Sequence, residues 1–95
     1  MLGVSEAKYV EKYNIHLVFN NGKEGIADLE KTITCDNREI FYKLRDESSF
    51  KNFKISHNTI VWFDELDLAP EYLFFLVFKE DVNLQKKFRS WGYIA

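Results

Sequence analysis

Tyr13-Asn14-Ile15-His16-Leu17-Val18-Phe19-Asn20-Asn21-Gly22-Lys23-Glu24-Gly25-Ile26-Ala27-Asp28-Leu29 is the stretch whose reading decides the fold. Tyr13, Ile15, Leu17 and Phe19 alternate with Asn14, His16 and Val18, the period of a strand with one face buried and the other open. Asn21-Gly22 supplies two residues that tolerate positive φ, so a type I′ turn is expected to join this strand to a second one over Lys23 to Leu29. A two-residue loop also sets the register. Asn20 then faces Lys23, Leu17 faces Ile26 and Ile15 faces Asp28, so Leu17 and Ile26 share the core face while His16 and Ala27 share the other.

The rest of the chain is arranged around that hairpin. Val4 to Val10, a mixture of β-branched, aromatic and polar residues, reads as a preceding strand. Phe53 and Ile55 before His57-Asn58, with Ile60 and Trp62 after it, make a second hairpin in which Ile55 faces Ile60 and Phe53 faces Trp62. The spacing is compatible with the two hairpins sharing one sheet or lying in two. Asp36 has the position of an N-cap with Glu39 reaching back as in a capping box, and Ile40, Phe41 and Leu44 then fall on one helical face. Asp46-Glu47-Ser48-Ser49 interrupts that helix. Pro70 suits the first position of a helix through Phe78, with a buried strand as the competing reading. Asp81 caps a last helix in which Leu84, Phe88 and Trp91 recur on one face and Gly92 ends it, leaving Tyr93 to fold back.

These elements predict an α+β fold: a small antiparallel sheet built from two β-hairpins plus an N-terminal strand, packed by two to three short helices. One domain accounts for all 95 residues, with a core over 1–78 and a C-terminal helical extension over 79–95. Nine Phe, five Tyr and two Trp supply the large apolar surface that so short a chain needs. The run Tyr72-Leu73-Phe74-Phe75-Leu76-Val77-Phe78 is apolar all round, more than one helix face can hide against a sheet.

Charge and cysteine usage narrow the setting. The formal net charge is -2, from 13 basic and 15 acidic residues, with an acidic body and a weakly basic tail after Phe78. Such a chain lacks the field that drives nonspecific nucleic-acid binding. A lone Cys35 forms no internal disulfide, and the start Met1-Leu2-Gly3-Val4-Ser5-Glu6 has no apolar leader, so a cytoplasmic protein with no membrane segment is expected.

No phosphate loop, dinucleotide turn, HExxH, CxxC or GxSxG motif occurs. Cys35 with His16 or His57 has the residue types of a nucleophile and base, yet nothing in the spacing unites them. Asp64, Glu65, Asp67 and Glu71 have the composition of a hard-cation site but lack the glycine and alternating spacing of a calcium loop. An acidic turn before a helix N-terminus is the simpler reading. No catalytic residue, metal or cofactor is therefore implied.

Phe19-Asn20-Asn21-Gly22-Lys23, then Ala27-Asp28-Leu29, Phe41-Tyr42-Lys43-Leu44-Arg45-Asp46, and Thr59-Ile60-Val61-Trp62 before Asp67-Leu68-Ala69-Pro70-Glu71-Tyr72-Leu73 follow one another in a familiar order. Together they resemble the bacterial domain of unknown function 2442 family. The resemblance implies a compact α+β fold, no established catalytic residues and a role through binding. Its members resemble small operon partners found beside another short protein in toxin–antitoxin-like arrangements, some fused to a helix-turn-helix module. The stretch after Phe78 is too short for such a module, and Phe63-Asp64-Glu65 makes the turn after the last strand more acidic than the family's usual Trp-Asn-Gly type.

The function expected from the sequence is a non-catalytic protein-interaction module, the antitoxin-like or inhibitory partner of a small basic protein. Asp64, Glu65 and Asp67 would pair with cations, and Tyr72, Phe75 and Phe78 would supply apolar anchors. The partner expected is an operon neighbour, with a homodimer compatible. The alternative is a nucleic-acid-linked regulator using Lys86, Lys87, Arg89 and Trp91, where aromatics lie beside phosphate-pairing cations. Three cations on an acidic protein make direct nucleic-acid binding the weaker of the two.

Overall fold

The computed structural model describes residues 1–95 and has α+β architecture. In chain order the elements are β1 (Val4–Glu11), β2 (Asn14–Phe19), β3 (Glu24–Asp28), α1 (Glu30–Thr34), α2 (Glu39–Leu44), α3 (Glu47–Phe50), β4 (Lys54–Ser56), β5 (Thr59–Trp62), β6 (Leu66–Asp67), α4 (Pro70–Phe78) and α5 (Gln85–Trp91), with a 3-10 turn at Val82–Leu84 leading into α5. The two hairpins lie in separate antiparallel sheets, β1-β2-β3 and β4-β5-β6. They meet where the Val4 N–H donates to the Asn58 carbonyl at 2.7 Å.

The first hairpin forms, but in a different register. Its loop has three residues, Asn20-Asn21-Gly22, and the Phe19 N–H donates to the Lys23 carbonyl at 2.9 Å. Only Gly22 has positive φ, at 86°, and the Asn21 side chain accepts from the Lys23 N–H at 3.0 Å. This is the turn-plus-left-handed-glycine solution rather than type I′. Ile15 therefore pairs Ala27, Leu17 pairs Gly25 and His16 pairs Ile26. The one-residue slip puts Ala27 in the core and leaves Ile26 52 % exposed. The reason is the helix above: α4 lies so close over β3 that only the small Gly25 and Ala27 fit beneath it.

The second hairpin has the expected register, Ile55 opposite Ile60, with His57 and Asn58 both at positive φ. A further turn at Phe63-Asp64, also at positive φ, adds the short strand β6. Helix α2 begins at Glu39, later than a cap at Asp36 predicts. The Asp36 carboxylate instead accepts from the Arg38 N–H at 2.9 Å and ties off a turn before the helix. The expected apolar face holds, with Phe41 and Leu44 buried. The segments α1 and α3 are single turns without apolar periodicity of their own.

Tyr72 to Phe78 is helical within α4, and Pro70 opens that helix. Asp81 caps the 3-10 turn by accepting from the Asn83 N–H at 2.8 Å, and Gly92 closes α5 at φ 87°. Fifteen apolar residues form one core, drawn from both sheets and from all five helices. Trp62 is the largest fully buried side chain, and it donates its indole N–H to the Phe50 carbonyl at 2.7 Å.

Candidate interaction surface

The acidic and aromatic residues expected to meet a partner divide between two regions. Asp64 sits in the β5–β6 turn, exposed but ion-paired with Lys54. Glu65 and Asp67 are exposed beside it. Tyr72, Phe75 and Phe78 belong to α4, where no residue of the Tyr72–Phe78 run is exposed. The Tyr72 hydroxyl shares a 2.6 Å hydrogen bond with the Thr32 hydroxyl. Phe75 stacks on Tyr93 at 5.2 Å and meets Phe88 edge-on at 5.1 Å, while Phe78 lies 4.6 Å from Phe74 and 6.3 Å from Phe19. The helix is apolar all round because the first sheet covers one side, and α5 with Tyr93 covers another.

The four candidates for nucleic-acid contact do not converge either. Lys87 reaches over the rings of Trp91 and Phe74, at 5.6 and 6.0 Å. Both Lys87 and Trp91 line an open pocket of about 430 Å³ with Leu2, Asn20, Asn21 and Phe74. Trp91 is half-buried against Phe74 and Phe88. Arg89 turns instead to the end of the chain, its Nε donating to the Ala95 carbonyl at 3.2 Å, and Lys86 is exposed.

A different surface follows from the register of the first sheet. Ile15, Leu17 and Phe19 of β2 point into the core, so Asn14, His16 and Val18 point away from it. Their cross-strand partners lie on the same side: Glu6, Lys8 and Glu11 on β1, and Glu24, Ile26 and Asp28 on β3. No helix covers this face, and all six of those partners are exposed. It carries four carboxylates, from Glu6, Glu11, Glu24 and Asp28, against the one ammonium of Lys8. Val18 and His16 are half-buried at the centre, with the His16 Nε2 3.3 Å from a Glu24 oxygen. A sequence reading reaches His16 and Val18 by alternation but puts Ile26 on the wrong side, so it misses the β3 part of this face.

The cysteine and the two histidines lie on three separate segments. Cys35 is exposed after α1, His16 lies on β2 and His57 in the β4–β5 turn. No three His, Cys, Asp or Glu side chains gather as a metal site. Displaced titrations occur at a few side chains, among them Tyr9 of β1, raised by burial and by the Glu47 carboxylate to which its hydroxyl donates. The Arg38 side chain bonded to Asp36 holds that carboxyl below its ordinary value, and the Ser48 hydroxyl does the same for Asp46. Burial raises the Tyr93 phenol.

No curated protein matches the chain, and no solved structure does. The model of a family described as "Protein of unknown function (DUF2442)" matches residues 4–79, from the first strand through the end of α4, and the chain belongs to that family.

Proposed function

We propose that the chain is a non-catalytic interaction module that holds a small basic protein, acting as its antitoxin-like or inhibitory partner. The observation that carries this reading is the open outer face of the first sheet, with Val18 at its centre, the exposed Ile26 on β3 between the carboxylates of Glu24 and Asp28, and those of Glu6 and Glu11 across the sheet on β1. Carboxylates at a rim steer a cationic partner, and an apolar centre is where binding energy concentrates once water is excluded. This face leads over Asp64 and Phe75, which already have Lys54 and Tyr93 as neighbours within the chain. The exposed, single Cys35 favours a reducing compartment, and we place the protein in the cytoplasm. No helix is long and apolar enough to cross a membrane.

The test is co-expression with the product of the neighbouring reading frame. The two should co-elute at low salt and separate toward roughly 1 M salt, where charge attraction is screened beyond about 3 Å. Reversing Glu24 and Asp28 to Lys should abolish the complex; because the Asp28 carboxylate also accepts from the Glu30 N–H at 3.0 Å, circular dichroism is read alongside, and Glu24→Lys alone should weaken the complex with the fold kept. A chain that elutes alone at low salt overturns the reading.

A second reading, a nucleic-acid-linked regulator, is favoured only by the pocket that unites Lys87 with Trp91. A gel-shift series in salt decides it: absence of salt-sensitive binding at micromolar protein ends the idea.

A further inference from the structure

The two long edges of the first sheet are not equivalent. The edge of β1 runs beside the second hairpin, where Val4 bonds to Asn58. The edge of β3 has no strand beside it. The Leu29 N–H donates to the Tyr13 carbonyl and the Phe19 N–H to the Lys23 carbonyl, each at 2.9 Å. These two bonds fix which residues of β3 face β2. In an antiparallel ladder hydrogen-bonded and non-bonded pairs alternate, so Gly25 and Ala27 turn their backbone groups to β2. Glu24, Ile26 and Asp28 turn theirs outward. The same three residues present their side chains on the acidic outer face.

Backbone donors and acceptors in a row, with a carboxylate at each end and an exposed apolar side chain between them, form a template for one more strand. On the inner side, the end of this edge borders a groove of about 250 Å³ in which Tyr72 and Leu76 form the apolar part, with Asp28 and Glu30 set against Lys31 and Lys79. We propose that β3 accepts an extended basic segment of the partner as a fourth strand, antiparallel to it, with cations opposite Glu24 and Asp28 and an apolar residue opposite Ile26. The alternate residues of that segment are apolar and face the inner side, where Tyr72 and Leu76 are the apolar part of the groove. Charge selects this occupant over a second copy of the chain. Self-pairing centred on Ile26 would set Glu24 of one copy against Asp28 of the other, and like charges directly opposite are destabilising.

This inference rests on the interaction-module reading but is tested separately from it. The isotope-labelled full chain is titrated with an acetylated, amidated peptide Gly-Lys-Leu-Val-Leu-Lys-Gly, and amide hydrogen exchange is followed residue by residue. Exchange at Glu24, Ile26 and Asp28 should slow by at least about tenfold at saturation, while Gly25 and Ala27 stay as they were. N-methylation of the central valine removes the N–H that bonds to the Ile26 carbonyl and should weaken binding at least about tenfold. Replacing both lysines of the peptide by glutamate should abolish binding, and Glu24→Lys with Asp28→Lys should restore it. Ile26→Pro removes only an outward N–H and an edge strand tolerates it, so this variant should fold and lose the peptide; should it not fold, the charge-reversed chain decides. Absence of binding up to about millimolar peptide overturns the proposal. Binding that leaves the three amides unprotected overturns strand addition and leaves the module reading standing. A dimer whose Ile26 amide is protected without peptide overturns the basic occupant in favour of a second copy. Failure of the module reading has its own signature, a neighbouring product that does not co-elute.

Discussion

Gly25 lies so close under Val77 that a Cβ built on it would sit 2.5 Å from Val77 Cγ1. The contact joins the middle of β3 to the last turn of α4, and it is why the buried side of this strand carries Gly25 and Ala27 while the larger Ile26 faces out. Gly25 has no positive φ to protect, so steric room alone requires glycine here.

Gly25→Ala should therefore destabilise by overpacking. Val77 is β-branched in a helix and has one strongly preferred rotamer, so relief requires α4 to move. A loss of about 1–3 kcal/mol is expected by urea unfolding. In a Val77→Ala background the same substitution should cost little, and the double-mutant cycle should show coupling. Additive losses would show that the two residues do not meet.

The loop register has its own spectroscopic signature. His16 and Ile26 form a pair whose backbone groups point away from each other, which brings their Cα atoms to about 4.5 Å and should give a strong Hα–Hα Overhauser contact. The two-residue loop would pair Leu17 with Ile26 instead. Gly22→Ala should also cost about 1 kcal/mol, because Gly22 alone in the loop holds a left-handed conformation. A Leu17–Ile26 cross-strand contact would overturn both the register and the outer face built on it.

That register also marks the limit of what the residues reveal by themselves. His57-Asn58 reads correctly because both residues adopt positive φ and Ile55, Ile60 and Trp62 agree on one face. Asn20-Asn21-Gly22 serves a two-residue or a three-residue loop equally well, and hydrophobicity prefers Ile26 inside. Only the nearness of α4, a contact some fifty residues away in the chain, reverses that preference. The single turns α1 and α3 carry no periodic signal, and β6 depends on a turn whose residues, Phe63 and Asp64, are not glycine. Alternation in β2 reveals half of the candidate surface; tertiary packing supplies the other half.

Acid should weaken the entrances to α2 and α3. Hydrogen bonding from Arg38 lowers the Asp36 carboxyl below 3.8, and hydrogen bonding from Ser48, with Ser49, does the same for Asp46. A depressed folded-state value means that each carboxylate contributes stability above its unfolded value and loses it as pH falls through the folded one. Both contributions should begin to fall near pH 3.8 and be gone once pH lies below the lowered folded-state values. Carboxyl titrations by NMR should give midpoints under that value, and Arg38→Ala should move Asp36 back up while leaving Asp46 unchanged. Midpoints at or above 3.8 in the native protein would remove this source of pH dependence.

Phe88 tests whether α5 is part of the fold or an ornament upon it. It is fully buried, edge-on to Phe75 at 5.1 Å and 6.3 Å from Phe74, so it closes the side of α4 that the first sheet leaves open. Without that lid the apolar circumference of α4 would meet water, and the chain would expose an adhesive helix for which the outer face of the first sheet has no use. Phe88→Ala should cost about 3–5 kcal/mol, a large share of the stability of a domain this small, and should raise binding of a hydrophobic dye. Lys86→Ala, on the exposed side of the same helix, should change stability by less than about 0.5 kcal/mol. If Phe88→Ala leaves the midpoint of unfolding unchanged, α5 does not seal the core, and Tyr72, Phe75 and Phe78 return as the apolar anchors for a partner.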